Sequence, residues 1–600
     1  LINPSLIQST DLVIGSGGSA TYGAAAVAGV DNIILKDDYE GLEGSARYGV
    51  TDRGDGDNYR LSLLGGMNFL DGRANITVAG EYFTTDGIRS DDDSRLSGQQ
   101  LTFVANPLNT GGSDGLPANI LLGGTTNPLF SVNGAIVSAQ RLNGSSASQL
   151  IPNSPNAAFT AAGLGTPFEF SQTAAGQAID PNLYIGTFGD GGLYFTVPNT
   201  DAATSALFPN RAVPLQFNSA GDLVGYNVGN VFQAADQNTI VGGDGQPNGR
   251  LANVTSDQER ITLNALTRFD ITDNITWKGE YYYADIESSS FNAPASNSST
   301  GSTSAGSRAI PIYVDQNPYL SAQALSTLAD LEAQGATLPT LNGERVVYLN
   351  RSLLDVTGVE ENGSEAEFFR IVQSVEGDFE WMDRSFNWDV FALYGEVTQD
   401  NFGDELLDIE FALATDVVMQ NGQAVCRQQT LSAPEAIDER NPGLSFINSA
   451  VGLTPSQAAI DACQPLNLFG NGSPSQAAID YVTTQTLSTN ESSQLAYGAQ
   501  FGGELVELPA GDILFSVQAE YRKEENEFIP GDVFARGLAR NTQGRGSQGE
   551  SEFTEWGVEL SVPFFGGDFK FPGMQRLVFD GAYREVKRDS QGGPFNFTST

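Results

Sequence analysis

The chain of 600 residues contains no histidine, and that one absence removes Ser-His-Asp triads, Cys-His dyads and His-ligated zinc together. Direct capture of a ferric ion by imidazole is excluded with them. Cysteine is nearly absent. Only Cys426 and Cys463 occur, separated by a stretch rich in Pro, Asn and Ser. Their spacing fits neither a zinc knuckle nor a CxxC redox pair, and outside the cytoplasm it predicts one structural disulfide closing the loop. Basic residues are scarce, 30 Lys and Arg against 73 Asp and Glu, which leaves a formal net charge of −43. No basic patch is visible, so nucleic acid is not a partner. The acidic surface repels anions, including strongly anionic chelates, and its loops either hold divalent cations or serve solubility alone. Long apolar runs are missing too. Hydrophobic residues make up 40% of the chain, yet no window approaches the roughly 18 consecutive apolar residues of a membrane helix.

The first residue is Leu1, with no charged segment and apolar core of a signal peptide behind it, so a mature or truncated chain is expected. The end at Phe595-Asn596-Phe597-Thr598-Ser599-Thr600 carries the same expectation. Dividing the length by about 150 would give three or four soluble domains, but no repeated cores are apparent.

What the chain does have is 68 glycines, 10% aromatics and abundant Asn, Ser, Thr and Asp, a composition that suits many strands joined by turns and polar loops. From Leu42 onward the apolar pattern has a period of two. Leu42, Ala46, Tyr48 and Val50 alternate with Glu43, Ser45 and Arg47; Tyr59, Leu61, Leu63 and Met67 with Arg60 and Ser62; Ile76, Val78 and Tyr82 with Asn75, Thr77 and Glu81. The unit recurs at 261–283, 369–394, 495–521 and 556–583. Within each unit the connection is tight, as at Asp71-Gly72, Thr272-Asp273, Met382-Asp383-Arg384, Pro509-Ala510-Gly511 and a Gly-Gly-Asp turn. Between units lie long insertions near 85–256, 287–364, 402–488 and 525–551.

About eleven strands are predicted, each near the 9–11 residues of a tilted membrane crossing. Short turns on one side and long loops on the other are the asymmetry of outer-membrane barrels. Trp381, Trp388, Tyr281 and Tyr283 are predicted at strand ends, where aromatic girdles belong. Glu81, Arg268, Lys278, Gln518, Glu520, Arg522, Glu559, Asp580 and Arg584 fall on the face opposite the apolar one, which suits a wet lumen with lipid outside. A soluble sandwich has the same alternation but no use for so polar an inner face.

One stretch precedes the strands. Gly17-Gly18-Ser19-Ala20-Thr21-Tyr22-Gly23, followed by Gly29-Val30 and Asn32-Ile33-Ile34, is too poor in Lys-Ser/Thr pairs for a phosphate loop. It resembles the end of the plug domain of TonB-dependent outer-membrane receptors, and Leu35-Lys36-Asp37-Asp38-Tyr39-Glu40-Gly41 resembles that family's link into the first barrel strand. Asn317-Pro318-Tyr319-Leu320, Pro465-Leu466-Asn467-Leu468-Phe469-Gly470 and Ser475-Gln476-Ala477-Ala478-Ile479-Asp480-Tyr481-Val482 resemble loop motifs of the large members. Where the family carries Glu-Arg and a further Arg before the glycine turn, this chain has Gln8-Ser9 and Gly15-Ser16, so an ion-pair latch at those positions lacks its residues.

The resemblance implies an all-β, antiparallel membrane barrel, part of a 22-stranded one. Residues 1–38 would be the C-terminal part of the plug, with Gly17, Gly18, Ser19, Tyr22, Gly23, Gly29 and Asn32 as its motif, and 39–600 the barrel. It further implies a receptor in the bacterial outer membrane, working with the TonB complex amid phospholipid and lipopolysaccharide. Such a receptor takes up a small-molecule or oligomeric nutrient, such as an iron chelate, cobalamin or an oligosaccharide, with no catalytic residue, metal or cofactor. Asp91-Asp92-Asp93, Tyr184, Tyr194, Phe195 and Tyr313 are candidates either for ligand contact or for packing among the loops. The alternative is a passive porin or a surface-assembly protein, which would have no globular segment before its first strand.

Overall fold

In the computed structural model the described residues are 2–14, 29–89, 101–105, 117–127, 131–137, 195–198, 210–213, 215–227, 230–231, 240–241, 243–247, 253–292, 296–297, 310–338, 340–357, 360–440, 454–539, 544–567 and 569–594. A hairpin of β1 (Ile7–Ile14) and β2 (Gly29–Leu35) comes first. The alternating segments then build one antiparallel sheet of 11 strands in which every neighbour in space is the neighbour in sequence. These are β3 (Gly41–Gly49), β4 (Asn58–Phe69), β5 (Ala74–Thr85), β6 (Asp257–Thr272), β7 (Ile275–Asn292) and β8 (Glu360–Trp381), then β9 (Arg384–Leu406), β10 (Thr483–Leu508), β11 (Gly511–Pro530), β12 (Ser547–Phe565) and β13 (Leu577–Pro594). Sequential hairpin pairing of this kind is the up-and-down topology of barrel walls. Among the described residues no helix is long and apolar enough to cross a membrane.

The two faces of the sheet invert the rule of soluble proteins. Leu61, Leu263, Val517 and Phe579 are 53%, 53%, 42% and 55% exposed, whereas Thr77, Thr262, Asn264 and Glu555 are buried on the opposite face. Apolar side chains left in water are costly at about 25 cal/mol per Å², so a face built this way is built for hydrocarbon.

Strand length departs from the expected 9–11 residues: β8 has 22, β9 23 and β10 26. The outward face explains the excess. On β8 it reads Phe379, Val375, Ile371 and Phe369, then Glu367 and Glu365; on β9 Phe386, Trp388, Val390 and Tyr394, then Glu396 and Asp400. Only the part nearest the short turns is apolar, and the charged remainder runs on beyond it. Tyrosines sit at the change. The hydroxyl of Tyr48 donates to Asp57 at 2.8 Å, that of Tyr283 to Glu367 at 3.2 Å, that of Tyr394 to Glu396 at 2.5 Å and that of Tyr583 to Glu585 at 3.5 Å. A ring in apolar surroundings with its hydroxyl on a charged group is how tyrosine marks an interface. Trp381 closes β8 and Trp388 stands near the turn end of β9, whereas Tyr281 and Tyr283 lie inside β7, because that strand outlasts the apolar band. At the turn end the rings of Phe379, Phe386 and Phe501 stack, with centroids 5.3 and 5.8 Å apart in sequence.

The turn between β8 and β9 puts Met382 and Asp383 both at positive φ, the geometry of a two-residue type I′ hairpin. The last connection within a hairpin, over 566–576, is not the tight Gly-Gly-Asp turn expected but longer, with backbone bonds between Gly566 and Phe569 and between Phe571 and Met574.

The insertions near 85–256, 287–364 and 402–488 are more than polar loops. Their described parts share one hydrophobic core that includes Ile136, Phe217, Leu328, Leu349, Phe411, Phe469 and Val482. It is assembled from short strands, among them 135–137, 215–217, 310–313 and Glu344–Ser352, and from helices α1 (Ala322–Ala333), α2 (Asp408–Thr415), α3 (Gln457–Ala462) and α4 (Gln476–Val482). This cap stands at the long-loop end of the sheet.

Candidate functional site

The inward face of the sheet is polar in rows set by the strand register. Ser62, Glu81 and Thr262 form one row across β4, β5 and β6; Asn68, Asn75, Arg268 and Lys278 form another across β4 to β7. Charges on this face are paired: Arg260 Nη2 lies 2.7 Å from Glu81 Oε1, and Arg584 Nε lies 3.0 Å from Glu555 Oε2. Side chains of Glu81, Lys278 and Arg584 therefore stand on the inner face, as their alternation predicts.

The N-terminal segment docks on this face. Leu6 is fully buried among Leu64, Ala79 and Leu266, with Leu35 and Tyr39 against them. The Asn3 amide donates to Asn264 Oδ1 at 3.0 Å, and its own Oδ1 accepts from the Ser5 amide at 3.0 Å, capping the turn that delivers Leu6. Asn75 Nδ2 donates to the Tyr39 carbonyl at 2.9 Å. Gly66 permits this approach, since a Cβ there would lie 2.2 Å from the Tyr39 carbonyl oxygen. Lys278 Nζ completes the anchorage, 3.4 Å from Asp37 and 2.9 Å from Glu376 of β8. This ion pair ties the N-terminal segment to the sheet at Asp37, and Gly15-Ser16 lies outside the described residues. Beyond the anchorage the hairpin is largely exposed; Asn32 stands opposite Asp11, and Gly29 opposite Ile14. Gly17, Gly18, Ser19, Tyr22 and Gly23 lie outside the described residues.

On the other half of the sheet a cavity of about 250 Å³ is lined by Asp389, Gln500, Gln518, Glu520, Glu555 and Arg584, with Phe391 at its side. Acids and amides in this arrangement can hold water or a polar group. Among these residues Glu555 is paired with Arg584 across the cavity wall.

The cap is cross-linked. Cys426 Sγ and Cys463 Sγ are bonded, joining the strand at 423–426 to the end of α3. Tyr313, a sequence candidate for ligand contact, is buried in the cap. Arg440 Cζ stacks 3.6 Å from its ring centroid, its hydroxyl donates to the Arg440 carbonyl at 3.0 Å, and burial pushes its phenol up to about 12. Arg440 in turn pairs with Glu344 at 2.8 Å and Asp416 at 2.9 Å. Tyr313 is therefore a packing anchor. Asp91, Asp92, Asp93, Tyr184 and Tyr194 lie outside the described residues, and the side chain of Phe195 does as well.

The loop motifs meet in the cap core. Tyr319 hydroxyl donates to the Pro465 carbonyl at 3.5 Å, and the Phe469 ring packs 4.4 Å from Phe217. Sequence reading missed two features. One is an internal repeat, Pro455-Ser456-Gln457-Ala458-Ala459-Ile460-Asp461 and Pro474-Ser475-Gln476-Ala477-Ala478-Ile479-Asp480. Each copy starts a short helix with its Ser as N-cap and closes it with a Gln-to-Asp side-chain bond, at 2.8 and 2.7 Å. Self-comparison of the sequence would have found it. The other is Arg351, fully buried, whose Nη2 donates to Asp355 at 2.6 Å and to the Gly470 carbonyl at 2.9 Å, while its backbone bridges to Ser131. Only Asp355 is local, and the other two partners come from two other insertions.

No protein-family profile and no curated protein matches the chain. Among solved structures, the siderophore receptor PiuA from Acinetobacter baumannii is 12% identical with a TM-score of 0.27, covering 97% of this chain and 59% of its own. The ferric-catecholate import receptor Fiu from E. coli K12 in its closed form is 10% identical with a TM-score of 0.29, covering 94% and 56%. The ferric preacinetobactin receptor BauA from Acinetobacter baumannii is 8% identical with a TM-score of 0.26, covering 99% and 66%. The chain thus spans roughly three-fifths of the length of the first of these receptors.

Proposed function

We propose that the chain is a large part of a TonB-dependent receptor of the bacterial outer membrane, a transporter and not an enzyme. The observation that carries this reading is the N-terminal segment seated inside a wall whose outer face is apolar: Leu6 in its socket, Tyr39 on Gly66, Asp37 on Lys278. A segment fixed to the inner wall favours a plugged receptor over an open pore. In this reading residues 1–38 close a plug, the TonB complex pulls that plug from the periplasmic side, and the cap meets the ligand and the lipopolysaccharide outside. The polar inner face, with its paired charges and its cavity at Glu520 and Glu555, forms the path of a hydrated nutrient. An iron chelate, cobalamin or an oligosaccharide fits that description, with a strongly anionic one disfavoured by the charge of −43.

The test is uptake by cells producing the intact receptor. Candidate nutrients identified from small molecules retained on purification are supplied in radiolabelled form, with and without a protonophore. Energised uptake stops when the proton gradient collapses; uptake that persists undiminished identifies a passive pore and overturns the proposal.

A further inference from the structure

Four of the short connections are tight, at 70–73, 273–274, 382–383 and 509–510, but the connection over 566–576 is longer and reads Gly-Gly-Asp-Phe-Lys-Phe-Pro-Gly-Met-Gln-Arg. Two pairs of backbone hydrogen bonds tie its described residues together. Gly566 and Phe569 exchange backbone hydrogen bonds of 3.0 and 2.9 Å, and Phe571 and Met574 exchange bonds of 3.2 and 2.8 Å. Gly573, at φ +88°, takes the left-handed position after Pro572, which is the sequence of a type II turn. The segment leans on the neighbouring turn, where Ala510 is buried.

Such a segment exposes its apolar side chains instead of hiding them. Phe569, Phe571 and Met574 are 50%, 64% and 43% exposed. They continue the outward face of the sheet. Val562 lies opposite Phe579, and a bulge after Pro563 keeps Phe565 opposite Leu577 on that same face. The Phe565 ring then stacks parallel to Phe569 with centroids 5.6 Å apart, and Phe571 lies 6.5 Å away. Exposed Lys570 and Arg576 bracket the apolar tip in a chain otherwise dominated by acids.

We propose that 566–576 is an interfacial anchor that seats Phe569, Phe571 and Met574 in the phospholipid leaflet on the short-turn side, with Lys570 and Arg576 against anionic headgroups. The occupant is argued from continuity with the lipid-facing band and from charge. Aromatic and apolar groups at the acyl boundary with cations at headgroup level are the components of interfacial binding. The inference rests on the membrane reading above and adds a contact that a uniform barrel rim would not make.

The test uses the intact receptor reconstituted in vesicles of phosphatidylethanolamine and phosphatidylglycerol. Phe571→Cys places a thiol at an exposed position, and Val558→Cys places one within the outward band; the two cysteines of this chain are in the disulfide, and any others of the intact receptor are replaced by serine. Each variant is labelled with bimane and exposed to lipids spin-labelled near the headgroup or near the chain end. The expected result is a blue-shifted emission at 571, quenched most by the shallow spin label, with 558 quenched by the deeper one. Lys570→Glu with Arg576→Glu abolishes the rise in quenching at 571 as the phosphatidylglycerol fraction increases. Emission at 571 typical of water overturns the proposal. So does blue-shifted emission that no lipid quencher reaches, which identifies a later part of the receptor as the cover. In both cases quenching at 558 leaves the membrane reading standing, whereas absence of quenching at 558 removes that reading itself.

Discussion

The sheet and the cap solve opposite problems with the same side chains. In the sheet, Leu61, Val517 and Phe579 face outward and Thr77, Asn264 and Glu555 are buried; in the cap, Phe217, Leu349 and Phe469 are buried in a shared core. One region turns its apolar side chains outward and the other gathers them into a core. The boundary between them is drawn by tyrosines bonded to carboxylates, and past it the strands continue with charged outer faces until they enter the cap. The contrast shows where each region's stability resides. The sheet is held by ladders of backbone hydrogen bonds that lipid cannot replace. The cap is held by a packed core and one covalent link.

That difference can be broken from either side. The largest effect is expected from Cys426→Ser with Cys463→Ser. Opening a loop closed over a sequence separation of 37 costs about 4 kcal/mol by the chain-entropy relation, and the cap should lose hydrogen-exchange protection while β3 to β13 keep theirs. Equal loss in both regions would mean that they fold as one unit. Next comes Val558→Arg on the outward face, at about 2–4 kcal/mol in bilayers if the residue sits near mid-depth, measured by reversible urea unfolding in vesicles. A negligible cost in lipid would show that this face is not lipid-facing.

Gly66→Val probes the seam inside the sheet. The new Cβ meets the Tyr39 carbonyl, so the N-terminal segment should lift from the wall at about 1–3 kcal/mol, and protease should then cut it while sparing the sheet. The smallest effect is a pH slope in the cap. Burial, helped by Asp408, raises the Glu410 carboxyl on α2 above its ordinary value. The folded cap therefore binds the proton more tightly than the unfolded chain, and protection of α2 should fall as pH rises from about 4.5 through the raised value, then level off. Glu410→Gln should flatten that slope; an unchanged slope assigns it to other groups.

Much of the sheet was legible because a period of two survives in every strand, and turns such as Asp71-Gly72 and Met382-Asp383 punctuate it. The strand ends were not legible. Once the outer face turns from Phe369 to Glu367 and Glu365, both faces are polar and alternation carries no signal, although pairing continues to Glu360. The cap was hidden for a different reason. Its core residues arrive singly, Phe217 from one insertion, Leu349 from a second and Phe469 from a third, so no window has a period to detect. At the lumen, Lys278 was readable as inward-facing, but its bond to Asp37 depends on how the N-terminal segment enters, which only the folded chain fixes.

Arg351 gives the cap a property that concerns descent more than stability. Its guanidinium holds Asp355 and the Gly470 carbonyl while its backbone bridges to Ser131, so three insertions from separate hairpins meet at one residue. Loops on a barrel rim ordinarily lengthen, shorten and exchange one at a time. Here a deletion near Gly470 strands Arg351, and a change of volume at Phe217 must be answered at Phe469. A change in one insertion must therefore be answered in the others, and a graft of this cap onto another sheet would have to carry all three.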